Sequence, residues 1–284
     1  MNIRANDFVL EIGSGHNPKA RSDVLCDKFI EDDEQRGGGI VIDRPIVEAD
    51  GQFLPFADQA FDYVICAHVL EHVEDPKQLI AELMRVARRG YIETPSEIGE
   101  RIYGWHYHRW TVNLIDGRLT LQKNSQKPQF GQLFHTLAAK DKHWKRFHIT
   151  HHNIFLVQYE WEGKIDYEIR PETEPTLDLE CPETLQTLIA PDGSNQGKNR
   201  WLPLLKNAVP RGIVSRAKSI LARLASQNLL SKVVKGKNRQ KKTLQEILVC
   251  PQCKGEIKWE EQHLHCEACE QHYPMTNGIP RFIF

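Results

Sequence analysis

The sequence predicts an α/β protein that is built on a parallel sheet and carries a small cysteine-rich domain near its C-terminus. In the first 95 residues, short apolar runs of strand length alternate with turn signals and a helical pattern, which is typical of a parallel sheet with helices on both faces. Four of the seven cysteines fall within the last 35 residues. So short a segment buries too little apolar surface to fold alone, and its cysteines therefore indicate a metal site.

Five strands and one helix are predicted in order along the first part of the chain. The predicted strands are Val9–Ile12, Asp23–Cys26, Ile46–Ala49, Phe61–Cys66 and Gly90–Glu93. A helix is predicted near residues 76–88, where Leu79, Ile80, Leu83 and Val86 recur mostly at helical spacing.

The later part of the chain is less regular. Residues 153–160 and 164–170 flank a short turn and predict an antiparallel hairpin. Residues 171–192 carry six acids and no base without clear periodicity, which indicates a loop-rich connection. Apolar residues recur every three or four positions between Arg211 and Lys235 and predict one or two basic amphipathic helices. The predicted boundaries are 1–172 for the α/β domain with a lid at 97–152, 173–242 for the linker and basic helices, and 243–284 for the small domain.

The net charge of −1 conceals a strong asymmetry. Residues 1–100 carry 20 acids and 10 bases, whereas residues 193–245 carry 13 bases and no acid. The basic stretch fits a nucleic-acid backbone, an anionic membrane surface or the acidic domain of the same chain. No apolar run approaches the roughly 20 residues of a transmembrane helix, and no apolar leader precedes the first strand. A cytoplasmic protein is expected.

Glycines and carboxylates follow the predicted strands, at the edge where a parallel sheet binds its ligand. The segment Glu11–Gly15, of sequence EIGSG, follows the first strand, and its glycines allow close approach to a ligand. Asp27 ends the second strand, where a carboxylate can accept both hydroxyls of a ribose, and Asp50 ends the third, near an adenine. A site for NAD is disfavoured, because the third glycine is missing and Asp27 comes too soon after Gly13.

The pattern continues with LPFADQAFDYV from Leu54 and HVLEH from His68. Taken together, residues 8–96 resemble the class I S-adenosylmethionine-dependent methyltransferases of the type 11 group. The resemblance implies a Rossmann-like sheet, S-adenosylmethionine as the cofactor and methyl transfer as the activity. The cofactor-binding residues that it implies are Glu11, Gly13 and Gly15 for the methionine moiety with Ser14 between them, Asp27 for the ribose, Asp50 and Gln52 for the adenine, and His68 and Val69 beneath the sulfur.

Three features depart from the family pattern. Almost no chain precedes the first strand, so the usual N-terminal cap helices are not expected. The segment from Asp27 to Asp50 is short and contains three consecutive glycines, so the helix between the second and third strands is expected to be lost or reduced. Asn17 stands where many relatives have glycine.

Methyl transfer from a sulfonium depends mainly on proximity and alignment, and a general base is needed only for an acceptor that holds its proton tightly. His68, Glu71 and His72 are the candidates in the loop after the fourth strand. His68 is the predicted catalytic residue. Glu71 and His72 are interpreted mainly as side chains that fix the start of the next helix by hydrogen bonding.

The predicted lid is rich in histidine and aromatic residues. Its segment YGWHYHRW is expected to determine the acceptor, by stacking on a sugar, a nucleobase or an aromatic molecule. The alternative is that the rings form the lid's own core and the histidines lie at its rim. The candidate acceptor-binding residues are Tyr103, Trp105, His106, His108 and Arg109. No family spacing supports a histidine metal site in this segment.

The cysteines form two CxxC pairs with twelve residues between them, Cys250 with Cys253 and Cys266 with Cys269. This spacing is typical of two knuckles that hold zinc, with iron as the less favoured alternative. Because four thiolates complete a tetrahedron, the metal is expected to be structural.

The residues around the cysteines, LQEILVCPQC and YPMTNGIP, resemble the small zinc-ribbon protein that partners methyltransferases of tRNA, rRNA and release factors in eukaryotes and archaea. The resemblance implies an enzyme fused to its own activator, which stabilises it by covering an exposed sheet edge. Since the predicted third strand lacks a covering helix, we expect the ribbon to dock there within the same chain.

The acceptor class stays open on these observations. A small molecule or glycan precursor is slightly favoured by the aromatic lid and by the lack of a recognised RNA-binding module. RNA or a translation component is favoured by the activator-like ribbon and the basic stretch. A third alternative is a non-enzymatic scaffold that binds a nucleoside and recruits a partner through its ribbon.

Overall fold

The computed structural model describes residues 1–32, 38–125, 128–172, 177–189 and 242–283. The described parts of Met1–Ile189 and Lys241–Phe284 belong to one compact unit. The basic helices predicted between Arg211 and Lys235 lie outside the described residues. Among the helices that are described, none is long and apolar enough to cross a bilayer.

The described residues form thirteen strands and seven helices. The strands are β1 Val9–Ile12, β2 Val24–Asp27, β3 Ile46–Ala49, β4 Tyr63–Ala67, β5 Arg89–Pro95, β6 Trp110–Ile115, β7 Arg118–Lys123, β8 Leu156–Glu162, β9 Tyr167–Ile169, β10 Ile257–Trp259, β11 His263–Cys266, β12 Gln271–Thr276 and β13 Ile279–Phe282. The helices are α1 Pro76–Val86, α2 Glu97–Tyr103, α3 Gly131–Lys140, α4 Lys142–Thr150, α5 His152–Phe155, α6 Pro182–Ile189 and α7 Leu244–Ile247.

The centre of the fold is a parallel sheet with the strand order β3-β2-β1-β4-β5, which confirms the predicted α/β class. Strands β1 to β4 are buried along their whole length, so each consists mostly of apolar residues without alternation. All five predicted strands form: β1 and β3 have the predicted bounds, and the bounds of β2, β4 and β5 differ by one or two residues.

The helix predicted near residues 76–88 is α1, and its start is encoded locally. The Asp75 carboxylate accepts hydrogen bonds from the backbone N–H groups of Lys77 (2.9 Å) and Gln78 (3.3 Å). Pro76 occupies the first turn, where a missing N–H costs nothing. The buried face of the helix carries Leu79 and Leu83, which pack into the main core.

The edge of the sheet at β3 is covered by the cysteine-rich ribbon, as expected from the sequence. Between β2 and β3, the described residues contain no helix. Instead, β13 pairs with β3 in parallel, with Arg281 opposite Glu48 and Phe282 opposite Ala49. Since β10 to β13 form an antiparallel meander, a continuous sheet of ten strands runs from the ribbon into the parallel sheet.

Contacts outside the sheet reinforce this docking. The backbone N–H of Val249 donates to the carbonyl of Pro55, and that of Ala57 donates to the carbonyl of Ile247, each at 2.9 Å. Lys254 Nζ lies 3.4 Å from the buried carboxylate of Glu82. The apolar core continues without interruption across the contact.

The hairpin predicted for residues 153–170 is wrong. Its first strand, β8, pairs antiparallel with β5 over seven residue pairs and closes the other edge of the large sheet. Its second strand, β9, pairs in parallel with β7 and joins a separate sheet of order β6-β7-β9. The buried side chains of Trp161 and Ile165 anchor the chain on the two sides of the turn. The long edge of β5 therefore outcompetes the local turn signal.

Residues 171–192 were predicted as a loop-rich connection, and the described part of this stretch contains one helix, α6. Its eight residues begin at Pro182, a residue that suits the first turn of a helix.

Replacing Phe282 with alanine tests how much the β13 contact contributes to stability. Phe282 is 1% exposed and packs on the Tyr273 ring, with centroids 4.7 Å apart. We expect the Phe282→Ala variant to lose about 3–5 kcal/mol of unfolding free energy. The neighbouring Ile283 is 41% exposed, so Ile283→Ala is expected to change stability by less than about 0.5 kcal/mol. Urea unfolding of both variants measures this, and equal stabilities would contradict the contact.

Candidate active site and metal centre

The turn after β1 has a backbone that only glycine adopts readily. Gly13 and Gly15 have φ values of +68° and +51°. A Cβ atom on Gly13 would lie 2.3 Å from Cγ2 of Val69, so no side chain fits at this position. The Gly13 N–H donates to the carbonyl of Cys26 (2.8 Å), which ties the turn to β2.

Two buried polar side chains at this turn, those of Glu11 and Ser14, differ in whether they have hydrogen-bond partners. The buried carboxylate of Glu11 accepts hydrogen bonds from the Ser22 hydroxyl and from the Lys19 N–H (2.8 Å), so it braces the turn. Burial raises the pKa of Glu11, although these bonds oppose the shift. The Ser14 hydroxyl is also buried but has no hydrogen-bond partner among the described residues. A ligand bound at this turn could supply the hydrogen bond that the Ser14 hydroxyl lacks.

The predicted carboxylates line the same edge of the sheet. Asp27 accepts hydrogen bonds from the N–H groups of Gly15 (2.9 Å) and Phe29 (3.1 Å). Asp50 accepts from Lys28 Nζ (2.6 Å) and from the Gln52 N–H (2.8 Å). Burial raises the pKa of Asp50, but these bonds outweigh it and lower the pKa overall.

Gln52 connects this edge to α1, because its side-chain oxygen accepts from the Asp75 N–H at 2.8 Å. The residues predicted to bind the cofactor thus come together along the carboxyl ends of β1 to β4. Such an edge is where parallel α/β sheets bind nucleosides. The glycine turn, the carboxylates and the Ser14 hydroxyl, which lacks a partner in the described part of the chain, fit S-adenosylmethionine.

His68 lies in the loop after β4 with a left-handed φ of +56°, a strained conformation for a residue with a side chain. Its Nδ1 is 3.4 Å from Glu71 and its Nε2 is 3.5 Å from Glu93. Burial lowers the pKa of His68, but the two carboxylates outweigh it and raise the pKa to about 9. The imidazole is therefore protonated at neutral pH, and in that state it donates hydrogen bonds instead of accepting a proton.

Glu71 and His72 do not cap the following helix, contrary to the interpretation from the sequence. That role belongs to Asp75, while Glu71 points into the protein and is 1% exposed. The hydroxyl of Thr94 donates to Glu71 at 3.0 Å. Burial raises the pKa of Glu71, but His68, His72 and His108 together lower it, so the carboxylate stays ionised.

The predicted acceptor segment divides into three parts. Tyr103 is buried in the lid core, where its hydroxyl accepts from Trp144 Nε1 at 3.0 Å. Trp105 stacks on His108 at 4.9 Å between ring centroids, and His108 is buried beside Glu100. His106 and Arg109 are exposed. Glu100 was not predicted from the sequence, because its pairing with His108 depends on how the chain turns after α2.

The four C-terminal cysteines converge. Their Sγ atoms all lie within 4.8 Å of one another, and the pairs Cys250–Cys269 and Cys253–Cys266 are each 3.5 Å apart. Thiolates around tetrahedral zinc at about 2.3 Å would be about 3.8 Å apart, so the arrangement fits zinc. Burial raises the pKa of Cys250, but the Tyr273 hydroxyl at 3.0 Å and nearby backbone groups lower it to about 7.

Comparison with known proteins identifies both parts of the chain. A methyltransferase-domain model matches residues 25–92, and a model of Trm112p-like proteins matches residues 241–278. A demethylmenaquinone methyltransferase of Thermobifida fusca is 35% identical over 79 residues, which are 25% of this chain and 34% of that protein. The chain thus spans about a third of that relative's length.

The ribbon has curated relatives of its own. A UPF0434 protein of Shewanella sp. strain ANA-3 is 44% identical over 41 residues, which are 14% of this chain and 70% of that protein. Among solved structures, a complex of the Haloferax volcanii Trm112 methyltransferase activator with a methyltransferase aligns at 19% identity, covers 33% of this chain and 47% of that one, and has a TM-score of 0.26. The two family models show a methyltransferase domain and a C-terminal Trm112p-like domain in this chain, and through this C-terminal part the chain belongs with the UPF0434 proteins.

Proposed function

We propose that the chain binds S-adenosylmethionine along the carboxyl ends of β1 to β4 and transfers its methyl group to an acceptor held by the lid. The observation that carries this proposal is the convergence of the Gly13–Gly15 turn, Asp27 and Asp50 on one edge of the sheet. The buried Ser14 hydroxyl, which has no partner among the described residues, supports it. The methyltransferase domain would span 1–172, with the lid at 97–152.

Each residue has a distinct task in this proposal. The Gly13–Gly15 turn would receive the methionine moiety, Asp27 the ribose hydroxyls, and Asp50 with Gln52 the adenine. When bound, the cofactor supplies a sulfonium-activated methyl group, so the protein mainly aligns the acceptor and excludes water. Val69 packs over Gly13 and would border the sulfur. His68, held as a cation between Glu71 and Glu93, would place positive charge beside the acceptor, while its two N–H groups stay directed at these carboxylates.

Calorimetry with S-adenosylhomocysteine tests the cofactor site. We expect Asp27→Ala to weaken binding about 10–100-fold, because hydrogen bonds to a charged group contribute about 1.5–3 kcal/mol. Gly13→Val is expected to abolish binding, because its side chain would collide with Val69. Glu162→Ala removes a carboxylate that is 71% exposed and should bind like wild type. Wild-type affinity in the first two variants would refute the site.

The ribbon, in our proposal, holds a structural zinc ion on Cys250, Cys253, Cys266 and Cys269 and acts as an internal activator. It would act by stabilising the β3 edge and not by touching the reacting groups. The support is the strand pairing of β13 with β3 together with the convergence of the four thiols.

Removing one thiol tests both the zinc site and the activator role of the ribbon. Cys266→Ser should lose one equivalent of zinc relative to wild type, and the peptides of β2 and β3 should exchange their amide hydrogens faster, because the ribbon no longer covers that edge. Cys181→Ser, outside the cluster, should leave zinc content and exchange unchanged. Elemental analysis and hydrogen exchange measure these effects. Unchanged protection of β3 after zinc loss would contradict the activator role.

For the acceptor, we propose a small molecule or glycan precursor that stacks on Trp105 and Tyr107. The support is that Trp105 stacks on the buried His108 and Tyr107 on the partly buried His72, an arrangement that suits a compact planar group. RNA or a translation component is the second candidate, supported by the Trm112p-like match and by the 13 bases of residues 193–245.

Bound nucleic acid in the purified protein distinguishes these candidates. We expect the absorbance ratio at 260 and 280 nm to be that of protein alone and to be insensitive to nuclease. A raised ratio that nuclease abolishes would favour the RNA acceptor. Binding of the cofactor without any methyl transfer to small hydroxyl, amine or RNA substrates would instead favour the third alternative, a non-enzymatic scaffold that binds a nucleoside.

A further inference from the structure

We propose that Glu71, His72 and His108 form a binding site for a divalent transition-metal ion, separate from the cysteine cluster. Each of the three side chains offers one ligand atom, and these atoms all lie within 4.8 Å of one another. Two imidazole nitrogens and one carboxylate oxygen form a ligand set that Fe²⁺, Mn²⁺ and Zn²⁺ accept. The inference does not depend on methyl transfer, because it concerns only what these side chains bind.

The cluster contains buried polar atoms that the described protein groups leave without hydrogen bonds. Glu71 Oε1 has no hydrogen-bond partner among the described residues, and it forms an ion pair with His68 Nδ1 at 3.4 Å. The Nδ1 atom of His72 is likewise buried and without a hydrogen-bond partner among the described residues. A buried polar group without a hydrogen bond is destabilising, and more so when it is charged. A cation between the carboxylate and the imidazoles would offset this cost for Glu71 directly.

The surrounding groups hold the three side chains in the way that metal ligands are usually held. His108 Nδ1 is 2.5 Å from Glu100 Oε1, so Nε2 is the ring nitrogen left to bind a cation. The other oxygen of Glu71 accepts from the Thr94 hydroxyl at 3.0 Å. The His72 and His108 rings meet edge to face, with centroids 4.6 Å apart. Thr94 lies on β5 and Glu100 on α2, so the supporting groups come from regular elements.

Three protein ligands leave coordination positions open, as in catalytic metal sites and unlike the closed set of four cysteines. The lid segment borders the candidate site, since Trp105 stacks on His108 and Tyr107 stacks on His72. The same loop carries Val69, which packs over Gly13 of the candidate cofactor site. A cation here would therefore lie between the cofactor turn and the aromatic rings.

Manganese binding to the full-length, zinc-loaded chain tests the proposal. Mn²⁺ is the probe because it prefers oxygen and nitrogen ligands over thiolates, so the cysteine cluster should not take it up. Electron paramagnetic resonance of free Mn²⁺ measures binding, and elemental analysis of the purified chain reports any metal already present. In wild type, we expect one equivalent of bound metal beyond the cysteine-bound zinc. This metal either co-purifies with the chain or is the Mn²⁺ added in the titration.

The variants distinguish a ligand from a merely structural residue. Glu71→Gln keeps the shape of the side chain, and His108→Ala removes a ligand. Both variants should lose the equivalent of metal that wild type binds beyond the cysteine-bound zinc. Glu100→Gln leaves all three ligands in place and should weaken binding about 10–100-fold. His143→Ala, an exposed histidine of α4, should bind like wild type. Zinc content and melting temperature confirm that each variant is folded.

Two results would overturn the proposal. One is a wild-type chain with no metal beyond the cysteine-bound zinc and no Mn²⁺ binding. The other is a folded Glu71→Gln variant whose metal content and Mn²⁺ titration equal those of wild type. Loss of cofactor binding in the calorimetric experiment leaves this inference intact, so the two proposals fail independently.

Discussion

The pairing of β13 with β3 is the interaction on which the described architecture depends. Without it, β3 would present an open row of backbone donors and acceptors at the edge of a parallel sheet, a surface prone to pairing with other chains. The ribbon also supplies two cations to buried acids of the methyltransferase domain. Arg281 forms an ion pair with Glu48, and Lys254 lies beside Glu82. Glu82 also pairs with Arg85 of α1 at 2.6 Å, so the larger electrostatic contribution of the ribbon is the ion pair of Arg281 with the buried Glu48. A buried carboxylate that loses its cation is strongly destabilising, so the ribbon contributes charge as well as backbone hydrogen bonds.

Much of the sheet could be predicted from the sequence because buried parallel strands leave a local signature. The apolar runs at Val9–Ile12 and Ile46–Ala49 need no knowledge of their neighbours to be recognised as strands. The docking of the ribbon was predictable for a different reason. The segment between β2 and β3 is too short and too glycine-rich for the usual covering helix, and an uncovered edge requires a partner.

The incorrect and missed predictions have different causes. The turn near Gly163 carries a real local signal, but β8 forms its hydrogen bonds with β5, about 70 residues earlier in the chain. The role of Glu71 was misjudged although the correct helix start, Asp75 followed by Pro76, is visible in the sequence. The contact of Glu100 with His108 depends on the turn that ends α2, and no spacing rule predicts it.

The distance along the chain between β3 and its cover has a kinetic consequence. Phe282 pairs with Ala49, more than 230 residues earlier. The sequence separation of this contact is therefore among the largest in the fold. At a synthesis rate of about 5–20 residues per second, the β3 edge waits roughly 10–50 s on the ribosome before β13 exists. Non-local pairings of this kind also form slowly after release. Until β13 has been made, the nascent methyltransferase domain exposes the unpaired edge of β3, and such edges make partly folded chains prone to aggregation.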